Sequence, residues 1–173
     1  MSRMKRWGAA VLIAAVMAAG CASQDAAPTA PATLAPPSVI ETFTGTVIAL
    51  GSDMHTFSVS QLGEVDITLR STTLQATIDA TTGESIPPAD PTAVPPLTLA
   101  IGTPTTTIFG LQCSPIVFGT QQMLVHTTAG SAAQLKGSAL PGTFCVSLSD
   151  AAGTAGAGLL TAPVDYEIVV AHP

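Results

Sequence analysis

The chain has 173 residues, 47% of them hydrophobic and only 9% charged, with a formal net charge of −6. Three of its five basic residues, Arg3, Lys5 and Arg6, fall in the opening segment, which leaves Arg70 and Lys136 against eleven acids. Two cations cannot neutralise a run of phosphates, so nucleic-acid binding and electrostatic docking on an anionic lipid surface are excluded.

Residues 1–20 open with basic side chains and continue as an apolar stretch from Trp7 to Ala19 that ends in small residues. That is the anatomy of an export signal. At about 13 residues the apolar stretch falls short of the roughly 20 that a membrane-spanning helix needs. The next segment, Ala18-Ala19-Gly20-Cys21, resembles the lipobox of bacterial lipoproteins. The resemblance implies that the Cys21 thiol receives a diacylglycerol, that the leader is cut before it, and that the new N-terminus is acylated, palmitate being the expected chain. Small residues let the chain lie extended in the peptidase cleft, and sulfur is the atom that is alkylated. Several acyl chains anchor stably where one is marginal. Ala22 and Ser23 follow in place of Asp, which by analogy implies delivery to the outer membrane. The expected location is the bacterial cell envelope, with the membrane as partner through the lipid.

Residues 21–38 form the lipidated N-terminus and a linker. Ala22 to Ser38 is built from Ala, Pro, Thr and Ser, with Leu34 its one apolar side chain larger than Ala. It cannot bury a core, and its prolines favour extended polyproline II geometry. As a spacer it could reach up to about 50 Å.

Residues 39–173, about 135 residues and enough for one buried core, alternate with period two between turn signals. Phe43 and Val47 face opposite to Thr42, Thr44 and Thr46. After Gly51-Ser52-Asp53, the residues His55, Phe57 and Val59 alternate with Thr56 and Ser58; after Gln61 to Gly63, Val65, Ile67 and Leu69 alternate with Asp66, Thr68 and Arg70. Short turns between them predict a three-stranded meander. Ser71 to Pro96 carries five prolines; its Pro-rich half reads as a loop, preceded by a short edge strand over Leu74 to Ile78. Strands are expected again over Leu97 to Ile101, Thr106 to Leu111, Pro115 to Phe118 and Met123 to Thr127. At the end, Phe144, Val146 and Leu148 face inward against Thr143, Cys145 and Ser147, and Tyr166, Ile168 and Val170 against Asp165 and Glu167. The pattern predicts an all-β fold, a jelly-roll-like antiparallel β-sandwich. With Cys21 modified, Cys113 and Cys145 are an even remainder in an exported chain and are expected to form a disulfide. Closing that loop contributes about 3–4 kcal/mol by chain-entropy reasoning.

The runs Leu140-Pro141-Gly142-Thr143-Phe144-Cys145-Val146 and Pro163-Val164-Asp165-Tyr166-Glu167-Ile168-Val169-Val170 resemble the end of bacterial pre-peptidase C-terminal (PPC-like) domains. Gly45-Thr46-Val47, Asp53 and His55-Thr56-Phe57-Ser58-Val59 resemble their first hairpin. The resemblance covers most of the domain except its middle. It implies a jelly-roll-like sandwich serving as an accessory module. Two departures stand out: a long Pro-rich insertion between Leu69 and Leu97, and no attached peptidase.

Catalytic groupings are scarce. His55, His126 and His172 have none of the spacings of a zinc site, and no Gly-x-Ser-x-Gly elbow is present. Asp53 and Asp150 lie beside turns and are expected to cap them. Asp79, Glu84 and Asp90 share one loop and are candidates for an oxygen-rich calcium site, although EF-hand spacing is missing. With Trp7 in the leader, Tyr166 and five Phe are too few for a strong aromatic lectin, though not for a weak one. The expectation is a non-enzymatic, lipid-anchored envelope module without a cofactor, contacting a protein or glycan. The alternative is a calcium-dependent carbohydrate binder or hydrolase with its site on the 79–90 loop and the sandwich rim.

Overall fold

In the computed structural model, which describes residues 34–108, 110–118, 121–150 and 159–173, every regular element is a β-strand. The leader, Cys21 and most of the linker lie outside the described residues. The strands are β1 (Val39–Val47), β2 (Ser52–Val59), β3 (Gly63–Leu74), β4 (Thr77–Ile78), β5 (Ser85–Ile86), β6 (Leu97–Thr107), β7 (Gly110–Pro115), β8 (Val117–Phe118), β9 (Gln121–Gln122), β10 (Leu124–Thr127), β11 (Leu135–Ala139), β12 (Gly142–Asp150) and β13 (Val164–His172).

Each long strand has one apolar face, and two such faces bury one another when sheets stack. One sheet has the order β1-β13-β3-β11, and the other β10-β6-β12-β2. All pairings within them are antiparallel. The first sheet holds β1, β3, β11 and β13 and the second β2, β6, β10 and β12, with β7 paired to β6; the chain changes sheet between successive long strands except through β6, β7 and β10, which share the second. On its return the chain inserts β13 between β1 and β3, and β12 between β2 and β6, which is jelly-roll connectivity.

The meander expected from the first three strands is therefore corrected. Their alternation reveals which face is apolar but not which strand is the neighbour. The short turns carry the chain across from one sheet to the other, so partners lie far along the chain, as in Val39 opposite His172 and Val59 opposite Gly142. The inward faces are those expected. Phe57, Val59, Val65, Ile67, Leu69, Val146, Leu148, Ile168 and Val170 are all buried, joined by Leu97 and Leu99. Each such side chain contributes roughly 1.5–3 kcal/mol of transfer free energy, an upper bound.

Three further differences matter. Leu74 closes β3, while Thr77–Ile78 pairs with Ser85–Ile86 as a separate hairpin within the Pro-rich segment. The expected strands over Thr106–Leu111 and Pro115–Phe118 are cut differently, because β6 continues to Thr107 and turns into β7. β11 was not anticipated, since Lys136, Gly137 and Ser138 at its centre are exposed and only Leu135 and Ala139 are buried. Ala35, within the segment read as linker, bridges to Gly63, its amide donating to the Leu62 carbonyl at 3.3 Å.

The course of β6 shapes the surface. It pairs with β12 from Leu97 to Gly102, and beyond Gly102 it pairs with β7 alone. A Cβ at Gly102 would collide with the Ser114 carbonyl oxygen, so only glycine admits this close crossing. Cys145 lies on the outward face of β12, between inward Phe144 and Val146, yet it is fully buried. What covers it is β7, tied down by the Cys113–Cys145 disulfide with the Cα atoms 5.7 Å apart. The β6–β7 hairpin thus overlies the outer face of the second sheet.

Candidate functional site

Where the pinned hairpin meets that outer face there is a cleft of about 440 Å³. Its floor follows from the strand register, because residues directly opposite one another share a face. One row runs Ser52–Ser149–Thr98 across β2, β12 and β6. The adjacent row runs Met54–Ser147–Ala100–Leu124, reaching β10. Leu111, Gln112 and Cys113 of β7 form the wall. Among the described residues, the side chains of Ser52, Ser147, Ser149 and Gln112 carry no hydrogen bond within the protein. They remain available to a ligand.

Beneath the β2 margin, facing the interior, lies a hydrogen-bonded chain of three side chains. The Tyr166 hydroxyl on β13 donates to Asp53 Oδ2 on β2 at 2.8 Å, and His55 Nε2 lies 2.9 Å from the same phenolic oxygen. A phenol has one proton, already committed to Asp53, so His55 must donate through Nε2–H, which assigns its tautomer. Phe43 stacks on the imidazole, with centroids 4.8 Å apart and planes 11° apart. Burial, followed by the hydrogen bond to Asp53 and the nearby carboxylate charge, pushes the Tyr166 hydroxyl far above its ordinary pKa. It stays protonated and serves as a link between the sheets. Asp53 Oδ1 accepts the Met54 amide at 2.8 Å, so both carboxylate oxygens are occupied. The expectation that Asp53 simply caps its turn is corrected by this inter-sheet role. Asp150 caps a different turn from the one beside it in sequence, its Oδ2 accepting the Leu50 amide of the β1–β2 turn at 2.9 Å.

The other titratable candidates are dispersed. His126 Nδ1 is 2.9 Å from Thr98 Oγ1, and His172 Nε2 is 2.8 Å from Glu41 Oε1 on the neighbouring strand. Asp79 Oδ1 accepts the amides of Thr81 and Thr82 in its own turn, which hold its carboxyl below the ordinary range. The Thr92 hydroxyl and amide do the same for Asp90. These oxygens are spent on local turns, and Glu84 is not brought into a ligand set with them. Among the described residues no group of three His, Cys, Asp or Glu is placed to hold a metal ion.

Neither the cleft nor the Asp53–Tyr166–His55 chain is apparent in the sequence, because their parts lie far apart along it. One signal was available: His55 and Tyr166 fall on inward faces, where a polar group needs a partner. No protein-family model matches the chain, and no curated protein matches it.

Proposed function

We propose that the chain is a lipid-anchored, non-enzymatic module of the bacterial cell envelope, held at the outer membrane through Cys21. Its role is to contact an envelope protein or glycan. One observation carries this reading: the ionisable groups at the candidate site are paired with one another, while the groups left free are neutral hydroxyls and a carboxamide lining a surface cleft. Such a lining can bind by hydrogen bonding but offers no activated nucleophile with its base.

The lipobox-like sequence at Cys21 and the Pro-rich segment after it support the anchored part of the reading. The jelly-roll sandwich is the fold that the resemblance to PPC-like accessory domains implies. Fold alone does not fix function, so the cleft is the feature to test. A photo-crosslinking amino acid placed at Gln112 of the full chain should yield a discrete adduct in intact cells. The same probe placed at Arg70, outside the cleft lining, should not. Equal labelling from both positions, or none from either, contradicts the proposal.

A further inference from the structure

We infer that the cleft between the β6–β7 hairpin and the outer face of the second sheet is a binding site for a neutral saccharide. The inference rests on the envelope-module reading and assigns its ligand class and location. Charge narrows the choice first. Among the described lining residues Asp53 is the only ionisable one, and its two carboxylate oxygens are taken by the Met54 amide and the Tyr166 hydroxyl. Arg70 and Lys136 are not among the lining residues. Apart from the exposed His126 beside Thr98, an anionic ligand therefore finds no counter-charge, and a cation finds no free carboxylate.

The lining is also divided in a way that suits a sugar ring, which has hydroxyls on its edge and C–H groups on its faces. Ser52, Ser149 and Ser147 supply free hydroxyls, the Thr98 hydroxyl being bonded to His126, while Met54, Ala100 and Leu124, with Leu111 opposite, supply aliphatic surface. Gln112 adds both a donor and an acceptor from the wall. The volume of about 440 Å³ falls within the range of small-molecule sites. Among the described lining residues there is no aromatic ring, so binding is expected to be weak, with a Kd on the order of 1 mM.

The test is a titration of the isotopically labelled full chain, lipid intact in detergent, with N,N′-diacetylchitobiose, maltose and glucuronate, read by amide chemical shifts. At least one of the two neutral disaccharides should shift amides in 52–54, 98–100, 111–115 and 147–149, and glucuronate should bind about tenfold more weakly or not at all. Ser147→Val combined with Ser149→Val should weaken the response about tenfold while leaving the remainder of the spectrum in place. Should that double variant fail to fold, Gln112→Ala on the hairpin provides the same reading. Absence of saturable shifts at these amides, or unchanged affinity in the variants, overturns the inference. Crosslinking from Gln112 in cells separates the two levels: a discrete adduct without saccharide binding removes the ligand assignment but keeps the module, and failure of both removes both.

Discussion

Gly45 on β1 stands directly opposite Tyr166 on β13, and the side chain it lacks leaves the space where the Tyr166 hydroxyl meets the Asp53 carboxylate. A Cβ at Gly45 would collide with Asp53 Oδ2 and lie 2.6 Å from the Tyr166 hydroxyl oxygen. Gly45→Ala should therefore force the pair apart and cost about 1–3 kcal/mol, the cost of leaving part-buried polar groups unsatisfied. Urea denaturation measures it. A variant as stable as the parent would mean that the pair can shift at no cost.

Tyr166→Phe tests the same link from the other side. It removes the donor to Asp53 and the acceptor for His55, and should also cost about 1–3 kcal/mol. The pH dependence has a definite sign. With its pKa raised in the folded protein above the unfolded value of about 10, Tyr166 keeps its proton while the unfolded chain loses its own. Stability is therefore fully present below about pH 10 and falls above it, with a slope approaching about 1.4 kcal/mol per pH unit. The chain has one tyrosine, so phenolate absorbance reports this group alone. Phenolate should appear only with unfolding, and the Phe variant should lack this alkaline slope.

The Cys113–Cys145 bridge closes a separation of 32 residues and holds the β6–β7 hairpin onto the sheet. Replacing both cysteines by Ala should cost about 3–4 kcal/mol. Denaturation of the parent with and without reductant should give a loss of similar size. A loss under about 1 kcal/mol would show that the hairpin stays in place without its cross-link.

Leu50 adopts a left-handed backbone with φ of 58° in the β1–β2 turn while the residue is 77% exposed. That conformation costs a branched residue about 1–2 kcal/mol, and little burial offsets it. Leu50→Asn should stabilise the fold by about 0.5–1 kcal/mol, seen as a rise in Tm. A fall in Tm would mean that the exposed leucine makes a contact the isolated fold does not reveal.

What the sequence made legible was the face of each strand. The alternation through Phe57, Val59, Val65, Ile67 and Leu69 marks the buried side correctly, because period two is local. The even cysteine remainder likewise pointed to the observed bridge. Partnership was not legible. A strand with one apolar face fits either sheet, and Gly45 meets Tyr166 only after the chain has crossed between the layers many times. β6 runs beyond the expected Leu97 to Ile101 and includes Pro104, a residue that a central strand disfavours. The structure accommodates it because, beyond Gly102, only β7 remains as a partner, with Pro104 opposite Cys113. The cleft was hidden for the same reason: its hydroxyls look like ordinary outward-facing strand positions until the register aligns Ser52, Ser149 and Thr98.

The most direct test of the account as a whole is intact mass spectrometry of the mature protein, paired with membrane fractionation of wild type and Cys21→Ala. The wild-type chain should begin at Cys21 carrying diacylglycerol and an amide-linked acyl group, and should sediment with membranes, while the variant is unacylated and released. A wild-type chain with an unmodified Cys21, recovered in the soluble fraction, would contradict it.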